Sequence, residues 1–157
     1  MSEYLIPSSL RVVINKNRSF LLPFFLSNNI NDSLDNFFSR ILSFSAKPTL
    51  SESNLSGCEL QNATLYGAKL KDTNLSNSNL SEVTLDSAVL DGTDLSNTNL
   101  EDSFAYNTQF ENVKIRGADF TNVFLPKDVA RKFCEKATGT NPFTNRETRE
   151  TLECDYI

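Results

Sequence analysis

From Asn74 to Leu100 the chain reads NLSNSNLSEVTLDSAVLDGTDLSNTNL, with leucine at 75, 80, 85, 90, 95 and 100. A helix turns about 100° per residue, so leucines five apart scatter around it instead of forming a stripe. A flat strand alternates its faces, so the same leucines would point up and down in turn. A fixed period that suits neither element points to a repeat architecture. Scored by column, fifteen centres run from Leu55 to Leu125, all Leu except Ala105, Phe110, Ile115 and Phe120. Two residues before each centre stands a small residue, from Ser53 and Cys58 through Ala63 and Thr73 to Ala118 and Val123. The other three positions are mostly Asn, Asp, Ser, Glu, Lys and Gly.

One large and one small buried residue in every five describe a chain that turns a corner every five residues. Four such sides close a square coil of about twenty residues, with the centres filling the interior. Residues one coil apart then share a column. Leu55, Leu75, Leu95 and Ile115 form one interior column, and Leu60, Leu80, Leu100 and Phe120 the next. In the third column, Leu65, Leu85, Ala105 and Leu125, the alanine leaves space that Phe110 is placed to fill from the side. Cys58 falls in the small-residue column and reads as a buried, inert core thiol, since cysteine there behaves as a small hydrophobe.

The segments SNL, TNL, TDL and ADF, repeated at this period, resemble the pentapeptide-repeat family with its A-(D/N)-L-x-x pattern. The resemblance covers about half of the chain. It implies a mainly β fold, a right-handed quadrilateral β-helix of about four coils. Coils stacked at the strand spacing make a rod about 15–19 Å long. Both open ends need caps, because they expose backbone edges and leucines.

The composition divides the chain into residues 1–49, the repeat at 50–125, and residues 126–157. After Pro126, DVARKFCEKA sets Val129, Phe133 and Ala137 at helical spacing, with Asp128 as the expected N-cap. TGTNPFTN breaks the helix, and RETRETLEC reads as a second short one. Cys134 and Cys154 fall one per helix, which suits a disulfide in an oxidising compartment; two reduced cysteines in a cytosolic cap are the alternative. The run DVARKFCEKATGTNP with TRETLEC also resembles the C-terminal cap of cyanobacterial and chloroplast thylakoid-lumen pentapeptide-repeat proteins. That resemblance implies two helices joined by a Cys134–Cys154 disulfide over the last coil, and a lumenal or periplasmic location. It implies no activity.

Residues 1–49 admit two readings. Lys16 and Arg18 precede the apolar SFLLPFFL, and the small-residue site SFSA lies just before the repeat, as in a leader. Asp32, Asp35 and Pro23 count against that reading. Alternatively, DSLDNFFSRILSF forms an amphipathic helix that caps the first coil with Phe37, Phe38, Ile41 and Leu42.

Composition narrows the function. The net charge is −5, and the acidity is concentrated in residues 51–157, with seventeen acidic and ten basic side chains. That balance argues against a nucleic-acid surface, which needs clustered Lys and Arg. No apolar run approaches the ~20 residues of a membrane span. The chain has no histidine, so Ser-His and Cys-His catalysis are excluded and the commonest metal ligand is missing. No phosphate-binding glycine loop occurs, and the carboxylates read as a solvated face of the rod. No enzyme, cofactor or metal is expected.

One surface feature stands out. The side of the square centred on 65, 85, 105 and 125 carries Tyr66, Phe104, Tyr106 and Phe124 outward, where the other sides carry mainly Asn, Ser and Asp. Clustered aromatics mark either a partner-binding patch or a surface covered by the N-terminal segment or the C-terminal helices. The leading expectation is a monomeric, non-catalytic interaction or scaffold module of the thylakoid lumen or periplasm, with an unidentified protein partner. Two alternatives remain, a cytoplasmic regulatory interaction protein and a DNA-mimicking topoisomerase inhibitor. The second fits less well, since such inhibitors are longer dimeric rods.

Overall fold

A computed structural model describes residues 49–157. The leader and N-terminal-helix readings of residues 1–49 lie outside the described residues, save for Thr49.

The five-residue period is written into the backbone. Every fifth residue from Glu52 to Asn122 takes a positive φ, between 51° and 70°. These corners are occupied by Asn, Asp, Gly, Glu and Ser, and Asn, Asp and Gly tolerate that region best. At most corners the residue after the positive-φ position donates its N–H to the preceding centre's carbonyl, as Ser53 does to Leu50 (3.2 Å) and Ala88 to Leu85 (2.8 Å). Each corner is therefore a tight turn that opens on a core residue.

The coils stack through parallel backbone pairings in which each residue meets the one twenty positions on, as in Asn54 with Asn74, Asn74 with Asp94 and Asp94 with Lys114. On one side the pairing widens into two short strands, β1 (Val89–Asp91) and β2 (Gln109–Glu111), joined in parallel with Leu90 opposite Phe110. Leu65, Leu70, Leu75, Leu80, Leu85, Leu90 and Leu95 are completely buried. Each contributes about 1.5–3 kcal/mol relative to exposure.

The small-residue column does more than make room. Thr73, Thr93, Thr98 and Thr108 each donate from Oγ1 to the carbonyl of the centre twenty-three residues earlier, at 2.8, 2.6, 2.9 and 2.8 Å. These bonds tie a corner of one coil to the coil before it. Outside, where Asn or Asp stands ahead of a centre it accepts from the N–H two residues on, as Asn74 does from Ser76 (3.0 Å) and Asp94 from Ser96 (3.0 Å). The (D/N)-L step thus satisfies a turn donator that the ladder leaves free.

After the last corner the chain leaves the coil and forms α1 (Lys127–Cys134) and α2 (Thr148–Thr151), followed by a 3₁₀ turn at Cys154–Tyr156. The expected cap residue is displaced. Pro126 takes the N-cap position without a side-chain hydrogen bond, and Asp128 lies inside the first turn, where its charge still favours the helix N-terminus. Ala137 is buried beyond the end of α1, and the second helix is only four residues long.

Phe133 of α1 plugs the open end of the coil. Its ring meets Phe110 edge-on and Phe120 at a tilt, both at 5.4 Å between centroids. Phe110 thus turns toward the cap. The loop between the helices comes down on the last coil where two glycines face each other. A Cβ on Gly139 would lie 3.1 Å from the Gly117 nitrogen, and one on Gly117 would collide with the Asn97 side chain.

Candidate interaction face

The backbone fixes the aromatic side by the stacking rules of the other three. Phe104 pairs with Thr84, its N–H donating to the Val83 carbonyl (2.9 Å) and its carbonyl accepting from Leu85 (2.6 Å). Tyr106 donates its N–H to Asp86 Oδ1 (2.7 Å) and accepts from the Ser87 N–H (2.9 Å). Asp86 in turn accepts at its carbonyl from Gly67, next to Tyr66, at 2.8 Å. Tyr66, Asp86 and Tyr106 therefore follow one another up a single column. Phe104 stands beside that column, and Phe124 one coil beyond it, just past the corner at Asn122.

All four aromatic residues face water: Tyr66 is 51% exposed, Phe104 61%, Tyr106 65% and Phe124 74%. The C-terminal cap leaves this face open. Between Phe104 and Tyr106 the centre position holds Ala105, which is buried. A run that alternates aromatic-out, alanine-in, aromatic-out inverts the usual distribution of bulk in the repeat.

The cap occupies a different part of the rod. Cys134 and Cys154 are joined by a disulfide, with 5.5 Å between their Cα atoms, and it links the end of α1 to the 3₁₀ turn. Cys58 is buried among the core residues, as its column requires.

Two residues that carry the cap escaped the sequence reading. Asn141 is wholly buried. Its Nδ2 donates to the carbonyls of Thr98 (3.1 Å) and Gly117 (2.9 Å), and its Oδ1 accepts from the N–H groups of Phe143 (2.9 Å) and Thr144 (3.2 Å). Asp119, read as part of a solvated face, is also completely buried. It accepts from Thr144 Oγ1 (2.6 Å) and Thr121, and Arg146 Nε lies 3.2 Å away. The same guanidinium donates two bonds to Glu101, at 3.0 and 2.7 Å. The hydrogen bond to Glu101 raises the Arg146 pKa above arginine's ordinary value; burial opposes this, and Asp119, Glu101 and Asp102 add attraction. Lys136 donates to the Val113 carbonyl and lies 5.4 Å from the centre of the Phe133 ring, and burial draws its pKa down.

Among the described residues no three His, Cys, Asp or Glu side chains converge as a metal site, and no helix is long and apolar enough to cross a membrane.

Comparison with known proteins agrees with this geometry. The profile of the family described as pentapeptide repeats matches eight copies, over residues 49–81, 65–102 and 78–122. The chain is 45% identical over 49 residues to the thylakoid lumenal 15 kDa protein 1 of Arabidopsis thaliana chloroplasts, a match spanning 31% of this chain and 22% of that protein. It is also similar to the crystal structure of a pentapeptide repeat protein from the Arabidopsis thaliana thylakoid lumen. There the TM-score is 0.66 at 35% identity, covering 68% of this chain and 74% of the other. That likeness implies that the coil is a right-handed β-helix.

Proposed function

The chain belongs to the pentapeptide-repeat family, and on that premise we propose that it is a non-catalytic protein-interaction module of the thylakoid lumen. Its homologues are thylakoid lumenal proteins. In this reading residues 50–125 form a rigid quadrilateral rod that displays a surface, and residues 126–157 close its end. The disulfide between Cys134 and Cys154 fits an oxidising lumen.

One observation carries the proposal: Tyr66, Phe104, Tyr106 and Phe124 are each more than half exposed on one side of the rod. Tyrosine and phenylalanine supply large, stiff contact area, and such residues anchor protein interfaces. Because their backbone is held in the coil, little ordering is required when a partner docks.

The test compares the natural chain with the Phe104→Ala, Tyr106→Ala double variant as baits in a lumen extract. The natural chain is expected to retain a protein that the variant does not, with identical circular dichroism and melting temperature. Retention by both chains, or unfolding of the variant, would refute a docking role for these two side chains.

A further inference from the structure

The distribution of charge around the aromatic face indicates what kind of partner it takes. The repeat carries eleven carboxylates against four basic side chains, Lys69, Lys71, Lys114 and Arg116. None of the four lies on the aromatic side or on the side that precedes it, centred on Leu60, Leu80, Leu100 and Phe120. Glu82 and Asp102 sit one coil apart at the corner between those sides, with φ of 57° and 58°. Asp102 is two residues before Phe104, and Asp86 lies between Tyr66 and Tyr106 in their column.

On the other two sides acids meet bases, Lys71 lying 3.6 Å from Asp91 and Lys114 3.1 Å from Asp94, and on the preceding side Arg146 of the cap joins Glu101 and Asp119. Among the described residues Glu82, Asp86 and Asp102 have no ion-pair partner within 4 Å, although Arg146 attracts Asp102 from farther off. Asp86 accepts the Tyr106 N–H, and Asp102 accepts from Asn122 Nδ2 at 2.9 Å.

We infer that the aromatic face docks a basic protein segment, one that lays apolar side chains on Phe104 and Phe124 and directs Arg or Lys toward Asp86, Glu82 and Asp102. The inference rests on reading this face as a docking surface and specifies the partner's chemistry. Tyr66 and Tyr106 are two coils apart, about 10 Å at the strand spacing, with Asp86 between them. A guanidinium there meets a carboxylate with an exposed tyrosine one coil to either side. An acidic segment meets repulsion from three carboxylates. Lys127, three residues after Phe124, opposes a cation at the far end, so the cationic contacts belong toward Tyr66 and Tyr106.

The test uses the full chain and two short fluorescein-labelled peptides, one alternating Leu with Arg and one alternating Leu with Glu, read by fluorescence anisotropy. The Leu-Arg peptide is expected to bind and the Leu-Glu peptide not to bind. Raising salt from about 0.1 M to about 1 M, which shortens the screening length from about 10 Å to about 3 Å, weakens the binding. The combined substitution Glu82→Gln, Asp86→Asn, Asp102→Asn weakens it about tenfold, the scale of three exposed ion pairs. Phe104→Ala with Tyr106→Ala abolishes it. Equal binding of both peptides, lost only with the aromatics, would overturn the charge selection while leaving the docking role intact. Binding that survives the aromatic substitutions overturns the inference by placing the peptide elsewhere. Failure of the Leu-Arg peptide to bind also overturns it. In that case protection of Tyr106 from hydroxyl-radical footprinting, concentration-independent or concentration-dependent, assigns the face to this chain's own N-terminal segment or to a second copy.

Discussion

Asn141 makes four hydrogen bonds, two to the coil and two within the cap loop, and replacing it measures how firmly the cap is held. Asn141→Ala removes the donors to Thr98 and Gly117 and the acceptor for Phe143 and Thr144. At about 0.5–1.5 kcal/mol for each bond, the loss lies between about 2 and 6 kcal/mol. The lower half of that range applies, because the Thr98 carbonyl keeps the Asp119 N–H at 2.9 Å and Phe143 is exposed enough for water to serve its N–H. A loss of about 3 kcal/mol is expected, which lowers the urea midpoint by about 1–3 M for a slope of about 1–3 kcal/mol/M. Asn141→Asp separates donor from acceptor. It keeps an oxygen for Phe143 and Thr144 but aims a carboxylate at two carbonyl oxygens in a buried site.

The charged form is disfavoured there, so the folded-state pKa of the introduced acid rises above its unfolded value of about 4. The unfolded chain ionises first as pH rises, so the variant loses stability from about pH 4 up to the folded-state pKa. Below that window the neutral acid still donates one O–H. Urea titrations followed by circular dichroism across pH read both effects. A loss below about 1 kcal/mol in both variants, or the same pH profile for Asp as for Ala, would refute the assignment.

Reduction of the Cys134–Cys154 disulfide, or Cys134→Ser with Cys154→Ser, is expected to cost about 3 kcal/mol on the chain-entropy model. Melting curves with and without dithiothreitol should show that loss in the natural chain and no effect of reductant in the double variant. Ser103 Oγ is buried without a hydrogen-bond partner among the described residues, while four threonines in the same kind of position bond the carbonyl twenty-three residues back. Ser103→Thr should reach the Leu80 carbonyl in that register, since Val83 in its column already accommodates a branched side chain. A rise in stability of about 1 kcal/mol is expected, and a fall would show that the added methyl does not fit. Asp94 has a lowered pKa: burial works against it, and the bonds from Ser96 and Lys114 outweigh burial. A depressed carboxylate stabilises above its unfolded pKa, and that contribution is lost as pH falls through its folded value, here below 3.8. Asp94→Asn keeps the acceptor for Ser96, as Asn74 does one coil below, and should flatten the stability–pH curve in that acid window.

The repeat was legible in the sequence because its cause is local. Each five-residue unit contains its own turn and its own inward residue, usually leucine, and several add an Asx acceptor, so the period alone gives the coil, the columns and the burial of Cys58. The outward position of Tyr66, Phe104, Tyr106 and Phe124 follows from the same period. The threonine bonds between coils were not read from the pattern, which presents threonine only as a small residue. Tertiary structure decided the cap. Asn141 sits in a Gly-, Pro- and Thr-rich stretch that reads as a loop, and Asp119 occupies an outward position indistinguishable from Asn99 in the coil below. Their burial depends on where residues 138–148 come to rest, at a distance of more than twenty residues along the chain from the carbonyls and carboxylates they meet. A five-residue rule describes sides of a coil that touch copies of themselves. It has no information about the one end where the neighbour is a different structure, and there the hydrogen bonds, the ion pairs and the aromatic plug were settled by packing.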